Sequence, residues 1–146
     1  MTNNAVNSNP FNLRVIEEFR RNEGRVGGPF AGRNLLLLTT RGARSGLLRT
    51  TPLVYLPHDG QLIVFASNGG SPTAPGWYHN LVAVPEATVE VGTERHAVRA
   101  RFLEGPQAEE AWTLQIAVDP SFADFRERAA RGGREVPVVA LERTAG

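Results

Sequence analysis

The sequence predicts a mainly β fold of the α+β type, in which short strands form a small antiparallel barrel with a few flanking helices. Two tight turns favour antiparallel pairing: an Asp-Gly turn at residues 58–60 and a Gly-Thr turn at residues 92–93. About six predicted strands with few helices are typical of a barrel. A dinucleotide-binding fold is not expected, because no G-x-G-x-x-G follows a strand and opens a helix.

The length, charge and composition of the chain limit what it can be. We predict a disordered polar tail over residues 1–9 and a single domain over residues 10–146. The net charge of +1 argues against a nucleic-acid partner, and all 16 basic residues are arginines. No cysteine is present, so there is no thiolate for a metal or for catalysis. Since neither a secretory signal nor a membrane-spanning segment is evident, we expect a cytoplasmic protein.

The first element is predicted to be an amphipathic helix. Asn9 caps it, Pro10 opens it and Gly24 ends it. Because its apolar side is short, we expect the helix to pack on the domain, and the alternative is contact with a membrane surface. The apolar residues near helical spacing are Phe11, Ile16 and Phe19.

Three strands follow this helix and lead to a second, short helix. A glycine-rich loop separates the third strand from the short helix, and a loop of such length in a compact domain is usually functional or disordered. The helix ends before Pro85, since proline cannot continue it. The predicted bounds are Leu35–Thr40, Arg49–Leu56 and Gln61–Ser67 for the strands and Trp77–Val84 for the helix.

The second half of the chain is predicted to contain a hairpin, two helices and a last strand. In the second strand of the hairpin, Val98, Ala100 and Phe102 alternate with their neighbours, so we expect these three side chains to face the core. The predicted bounds are Ala87–Val91 and Arg95–Glu104 for the hairpin, Gln107–Val118 and Ser121–Arg131 for the helices and Val136–Leu141 for the strand.

The loop between the first two strands is suited to an anion. Gly42 and Gly46 let the backbone turn and approach a ligand. The guanidinium groups of Arg44 and Arg49 and the hydroxyl of Ser45 supply directed donors to phosphate or carboxylate oxygens. From spacing alone, the alternative is a solvated hairpin, which is the commoner role of a glycine- and arginine-rich loop.

No set of catalytic side chains is evident. The three histidines lack metal-ligand spacing, so no metal is expected, and Ser67 has no evident base. Glycine loops, arginines and aromatics without a nucleophile indicate cofactor chemistry or plain ligand binding. Core packing is the alternative role for Trp77. The candidates to meet a ligand are Arg44, Ser45, Arg49 and Thr50 for phosphate, the backbone of Ala66, Ser67 and Asn68 for the edge of a flat ring, and Trp77 with Asn80 on one side of the short helix.

These segments resemble the deazaflavin-dependent nitroreductase family, small oxidoreductases that use coenzyme F-420, whose reduced form is F420H2. The resemblance extends from Phe11 to Arg143 and rests on the order and spacing of several motifs together. The motifs are R-V-G-G at residues 25–28, L-L-L-L-T-T-R-G-A-R-S-G-L-L-R-T-T-P-L at residues 35–53, A-S-N-G-G at residues 66–70 and P-G-W-Y-H-N-L at residues 75–81.

The resemblance implies a split β-barrel of the FMN-binding type, with coenzyme F-420 in a groove. Arg44 stands where the family often has lysine, and the residues that follow it would hold the phosphate and the acidic tail. Thr50 and Pro52 would border the ring system. The cofactor-binding residues that the resemblance implies are Arg44, Ser45, Gly46, Arg49, Thr50, Pro52, Ala66, Ser67, Asn68, Trp77, Tyr78 and Asn80.

The resemblance also implies the reaction. Reduced F-420 would donate a hydride from its C5 to a small electron-poor acceptor such as a quinone, an enone or a nitroaromatic, with Ser67 as the candidate catalytic hydrogen-bond donor. Phe122 and Phe125 stand where nitroimidazole-activating relatives place tyrosine, so activation of nitroimidazoles is not expected. The alternatives are a split barrel that binds FMN and a deazaflavin-binding protein without turnover. Edge strands of such a barrel could pair in a homodimer.

Overall fold

The computed structural model describes residues 9–144 of the chain. The predicted disordered tail falls almost wholly on residues 1–8, which lie outside the described residues. Short 3-10 turns lie at Gly28–Phe30 and Asn68–Gly70. The helices are α1 (Pro10–Arg21), α2 (Gly76–Ala83), α3 (Gly105–Val118) and α4 (Ser121–Arg131). The strands are β1 (Leu35–Arg41), β2 (Leu48–Val54), β3 (Leu56–His58), β4 (Gln61–Phe65), β5 (Glu86–Val91), β6 (Glu94–Leu103) and β7 (Val138–Arg143).

The described strands form one antiparallel sheet that closes on itself. Their order is β2-β1-β5-β6-β7-β4-β3, so β2 and β3 are the two edges of the sheet. In the chain, however, Tyr55 alone separates β2 from β3. The sheet must therefore curl until its edges meet, and the fold is a split β-barrel. The predicted fold class is confirmed.

The four consecutive leucines of β1 are buried because this strand is covered on both faces. Leu36 and Leu38 point into the barrel, whereas Leu35 and Leu37 point outward and lie under α1. Arg20 of α1 also forms a bidentate ion pair with Glu90 of β5, with N···O distances of 3.0 and 2.7 Å. The predicted packing of the first helix is therefore confirmed. The buried residues of α1 are Val15, Ile16 and Phe19.

A second apolar cluster lies outside the barrel, under α3 and α4. Phe65 at the end of β4 is its centre: its ring centroid lies 4.7 Å from that of Trp112 and 5.7 Å from that of Phe122. This cluster places aromatic side chains of the outer helices beside the end of β4. None of the helices between residues 9 and 144 is long and apolar enough to cross a membrane.

Two predicted strand bounds are wrong. The predicted strand Arg49–Leu56 is divided at Tyr55, whose N–H donates to the carbonyl oxygen of Asn34 before β1 at 3.0 Å, whereas the next residue, Leu56, pairs with Ile63 of β4. The predicted strand Gln61–Ser67 ends at Phe65, and Ser67 has φ −74° and ψ −32°, which is helical rather than extended. The chain therefore turns at Ser67 instead of continuing the sheet.

The prediction that Phe102 faces the core is also wrong, because 39% of this side chain is exposed. Alternation places Phe102 on the face of Ala100, but β6 ends here and its last residues extend beyond the barrel interior. The ring of Phe102 instead contacts that of Tyr78, with centroids 5.9 Å apart. The neighbouring Leu103 is buried in the cluster under α3 and α4.

Candidate functional site

A cavity of about 580 Å³ opens between β2, the loop that follows β4 and the start of α2. Asn12 of α1 and Phe122 of α4 close its other sides. Its volume lies within the range of about 300–1,000 Å³ that is typical of small-molecule sites. Of the twelve residues predicted to bind a cofactor, this groove brings together Arg49, Pro52, Ser67, Asn68, Trp77 and Asn80.

One wall of the groove is β2, from which Arg49, Thr51 and Pro52 line the cavity. Thr50, which was predicted to border a ring, lies between them in sequence and does not line the cavity. Its side chain is only 3% exposed, and its Oγ1 lies 2.8 Å from that of Thr39 on β1. Thr50 therefore joins two strands of the barrel, and the groove is lined by the threonine that follows it.

The loop of residues 42–47, which we call loop 42–47, is folded by its own groups. Gly42 donates its N–H to the carbonyl oxygen of Leu47 at 2.7 Å. The Oγ of Ser45 accepts the N–H of Leu47 at 3.1 Å, and Arg41 Nη1 donates to the carbonyl oxygen of Gly46 at 2.8 Å. A Cβ on Gly42 would lie only 2.6 Å from the Ser45 Oγ, so any other residue there would displace the Ser45 side chain. Ser45 and Gly46 thus shape the loop and do not line the groove.

Two arginines near this loop have no charged partner among the described residues. Within residues 9–144, neither Arg44 nor Arg49 forms an ion pair or donates a hydrogen bond through its side chain. Arg49 lines the groove, whereas Arg44 is exposed on loop 42–47 outside it. The groove therefore has a permanently charged guanidinium available at one end, and a second on the adjoining loop.

Asn80 of α2 holds loop 42–47 in place. Its Oδ1 accepts the N–H of Ala43 at 3.0 Å, and its Nδ2 donates to the Oγ1 of Thr40 at 3.1 Å. The side chain is 9% exposed, so little of it is left for a ligand. Asn80 lines the groove, but its polar atoms are already used to position the loop.

Trp77 and Tyr78 of α2 are neighbours in the chain but lie in different cavities. Trp77 packs in the barrel core, which was the alternative to its predicted role as a ligand wall, and it also lines the groove. Tyr78 lines a second cavity of about 470 Å³, together with Phe102 and Trp112. Successive residues of a helix are separated by about 100° around its axis, which explains the divergence.

Another wall of the groove is the loop of residues 66–71, which we call loop 66–71. Ser67 and Asn68 line the groove, while Ala66 is fully buried behind them. Arg134 holds this loop through four hydrogen bonds to carbonyl oxygens, a role that sequence reasoning missed because no motif surrounds it. The bonds run from Nε to Ser71 (3.0 Å), from Nη1 to Ala66 (3.0 Å) and from Nη2 to Ser67 (2.7 Å) and Ser71 (2.8 Å).

Residues 13–143 match the family described as F420H2-dependent quinone reductase. The chain belongs to this family. An F420H2-dependent quinone reductase of Mycobacterium tuberculosis (strain H37Rv) is 36% identical to it over 126 residues, which cover 86% of this chain and 85% of that protein. The predicted family, the oxidoreductase class and coenzyme F-420 as cofactor are thereby confirmed.

Two solved structures agree with this assignment. One, described as an F420-H2 dependent reductase, is 35% identical and has a TM-score of 0.67 over 75% of this chain and 95% of that one. The other, described as a domain-swapped dimer, is 32% identical and has a TM-score of 0.69 over 89% of this chain and 96% of that one. The family uses a quinone as electron acceptor, which fits the predicted small-molecule acceptor.

Proposed function

We propose that the groove binds F420H2 and that the protein transfers a hydride from it to a quinone or a similar electron-poor acceptor. The observation that carries this proposal is the arrangement of the groove: Arg49 offers an unpaired charge at one end, and Trp77 and Phe122 supply aromatic surface elsewhere. When bound, F420H2 supplies the hydride from C5 of its ring. The protein contributes binding, orientation and the exclusion of water.

Arg49 is proposed to bind the phosphate of the cofactor tail. Its guanidinium carries a fork of donors that fits phosphate and carboxylate oxygens, and the ion pairs found within residues 9–144 leave that fork available. Arg44, on loop 42–47 outside the groove, is proposed to attract the acidic groups farther along the tail. Ser45 and Gly46 contribute by shaping the loop between these two charges.

The ring system is proposed to lie between β2 and α2. Pro52 and Trp77 provide apolar surface on two walls, and Ser67 and Asn68 provide the polar edge. No side-chain hydrogen bond of Ser67 is found within residues 9–144, so its hydroxyl is available to donate to the acceptor or to the ring edge. Phe122 leaves the remaining side of the groove apolar, which favours a hydrophobic acceptor.

The test begins with fluorescence titration of the purified protein with coenzyme F-420 and, separately, with FMN. We expect binding of F-420 that Arg49→Ala weakens about 10- to 100-fold, the cost of a lost charge-assisted hydrogen bond. Arg44→Ala should weaken it less, because this side chain lies outside the groove. Arg95→Ala, on the exposed surface of β6, is the matched control and should leave binding unchanged.

Turnover is tested by following the oxidation of F420H2 with a panel of quinones, enones and nitroaromatics. Oxidation that depends on a quinone and on Arg49 would support the proposal. Binding of FMN alone would favour the flavin alternative. Tight binding of F-420 with no oxidation by any acceptor would favour a cofactor-binding protein without turnover.

Contact of α1 with a membrane is a further proposal, with the protein otherwise in the cytoplasm. Although α1 packs on the barrel, Phe11 and Leu13 remain 40% and 49% exposed, and quinones that carry long side chains reside in membranes. Co-sedimentation with liposomes should be lost in the double variant Phe11→Ser, Leu13→Ser. Equal sedimentation of the variant and the unchanged protein, or none for either, would remove this proposal.

A homodimer is proposed from the structure described as a domain-swapped dimer, which is 32% identical to this chain. Light scattering coupled to size-exclusion chromatography should give twice the mass of 15.9 kDa. A mass of one chain at all concentrations tested would remove the proposal.

A further inference from the structure

We infer that Arg134 is a positioning residue that turns the N–H groups of Ser67 and Asn68 into the groove, where together they bind an oxygen at the edge of the cofactor ring. The inference rests on the proposed function. It concerns a residue outside the groove, because Arg134 lines a separate surface depression with Gly133 and Val136 and not the groove itself.

The contacts of Arg134 are unusual for an arginine in this chain. Its three nitrogens all donate to backbone carbonyl oxygens of loop 66–71, at distances of 2.7–3.0 Å. Within the described residues it forms no ion pair with a carboxylate. Arg128 adds one bond of the same kind, from its Nη1 to the carbonyl oxygen of Gly69 at 3.0 Å. The carbonyls of the loop are thus drawn to the side that faces away from the groove.

The orientation of the N–H groups follows from peptide geometry. No cis peptide bond occurs between residues 9 and 144, and in a trans peptide the C=O and the following N–H point in opposite directions. Since Arg134 holds the carbonyls of Ala66 and Ser67, the N–H groups of Ser67 and Asn68 point away from it. These two residues line the groove, whereas Arg134 does not. Within the described residues, neither N–H donates a hydrogen bond to another group of the protein.

Two adjacent unpaired N–H groups fit an oxygen that carries negative charge. The guanidinium behind the two peptides polarises them and adds an unneutralised positive charge, which strengthens the N–H groups as donors. The pyrimidine-type edge of a deazaflavin carries carbonyl oxygens, whereas its tail carries phosphate. The arrangement therefore predicts that Arg134 supports recognition of the ring, while Arg49 supports recognition of the tail.

The decisive experiment compares two ligands: coenzyme F-420 and the same deazaflavin with its ribityl chain but without phosphate. Arg134→Lys keeps the charge, yet a single ammonium cannot reach all three carbonyl oxygens. We expect this variant to lose about tenfold in affinity for both ligands, the usual cost of leaving such donors misplaced. Arg49→Ala should lose affinity for F-420 only. Equal affinity of Arg134→Lys and the unchanged protein for the truncated ligand would overturn the inference, as would a loss confined to F-420.

Chemical rescue of the variant distinguishes a change in the orientation of loop 66–71 from a general loss of folding. Because the chain contains no lysine, Arg134→Lys introduces a single lysine side chain, and O-methylisourea converts its ammonium into the guanidinium of homoarginine. Affinity for the truncated ligand should then recover in part. The control is Arg131→Lys, treated in the same way, since Arg131 pairs with Glu127 on the surface of α4. Failure of the modified Arg134→Lys protein to recover would count against the inference.

If Arg134→Lys does not fold, a measurement on the unchanged protein still tests the inference. With backbone nitrogen labelling, the amide signals of Ser67 and Asn68 should shift strongly on addition of the truncated ligand. Shifts at other groove residues without shifts at these two would overturn the inference and leave the proposed function intact. Failure of the unchanged protein to bind either ligand would overturn the proposed function, and the inference with it.

Discussion

The side-chain oxygen of Asn80 accepts the backbone N–H of Ala43 at 3.0 Å, so α2 and loop 42–47 are fixed to one another beside the groove. The same side chain donates to the buried hydroxyl of Thr40 at 3.1 Å. Asn80 therefore ties loop 42–47 to β1 and α2. The side chain of Arg49 lies beside Gly42 of this loop, so we expect its placement to depend on that contact.

Replacement of Asn80 by alanine should lower both stability and affinity for F-420. Thr40 and Ala43 would lose their partners, which costs about 1–3 kcal/mol of unfolding free energy for a buried group. Urea denaturation measures this cost, and fluorescence titration measures the affinity. Asn80→Asp is the matched variant: it keeps an acceptor for Ala43 but not the donor to Thr40. An Asn80→Ala protein with unchanged affinity for F-420 would show that the loop does not need this contact.

Alanine substitution should lower the unfolding free energy by different amounts at Gly69 and Gly70. Both have positive φ, 64° and 83°, so either substitution carries a backbone cost of roughly 1–2 kcal/mol. A Cβ on Gly69 would meet no protein atom within 4 Å, whereas one on Gly70 would lie 2.9 Å from the Cβ of Arg128 and 3.0 Å from the carbonyl oxygen of Phe125. Gly70→Ala should therefore lower the unfolding free energy by roughly 1–3 kcal/mol more than Gly69→Ala. Equal denaturation midpoints for the two variants would contradict the close packing of loop 66–71 on α4.

Local sequence patterns predicted those elements of the fold whose cause lies within a few consecutive residues. The helix Ser121–Arg131 has the predicted bounds, and the hairpin turns lie where Asp-Gly and Gly-Thr were found. The division of the second strand at Tyr55 could not be predicted in this way. The division is caused by closure of the barrel, in which the two edges of the sheet meet. The residues next to Tyr55 contain no pattern from which this long-range closure could be predicted.

The candidate site was predictable only in part for a related reason. The sequence motifs at residues 35–53, 66–70 and 75–81 contain Arg49, Ser67 and Trp77. The structure brings these three residues to one groove. Arg134 is 67 positions from Ser67 in the chain, yet it fixes the carbonyl of that residue, and nothing in its local sequence distinguishes it from the other arginines. Tyr78 follows Trp77 directly but lies in the second cavity, because neighbouring residues of a helix point in different directions.

The hydroxyl of Ser67 should affect turnover more than binding. Ser67→Ala removes a donor that lines the groove, while the backbone of loop 66–71 stays held by Arg134. We expect kcat with a quinone to fall about tenfold or more, as when a donor to developing charge is removed, and the dissociation constant of F-420 to change little. Stopped-flow oxidation of F420H2 gives the first quantity and fluorescence titration the second. Equal losses in both would show that Ser67 serves cofactor binding instead.

Tyr55 should make the protein less stable at high pH. This residue lies at the corner where β2 meets β3, and burial raises the pKa of its phenol. Because the folded state then holds the proton more tightly than the unfolded state, the stabilising contribution is complete below the unfolded pKa of about 10 and is lost as the pH rises through the folded pKa. In Tyr55→Phe, the melting temperature should fall less between about pH 9 and about pH 11 than in the unchanged protein. Tyr78→Phe is the matched control, since these are the two tyrosines of the chain. If the melting temperature of Tyr55→Phe fell as much over this pH range as that of the unchanged protein, ionisation of Tyr55 would not limit stability at high pH.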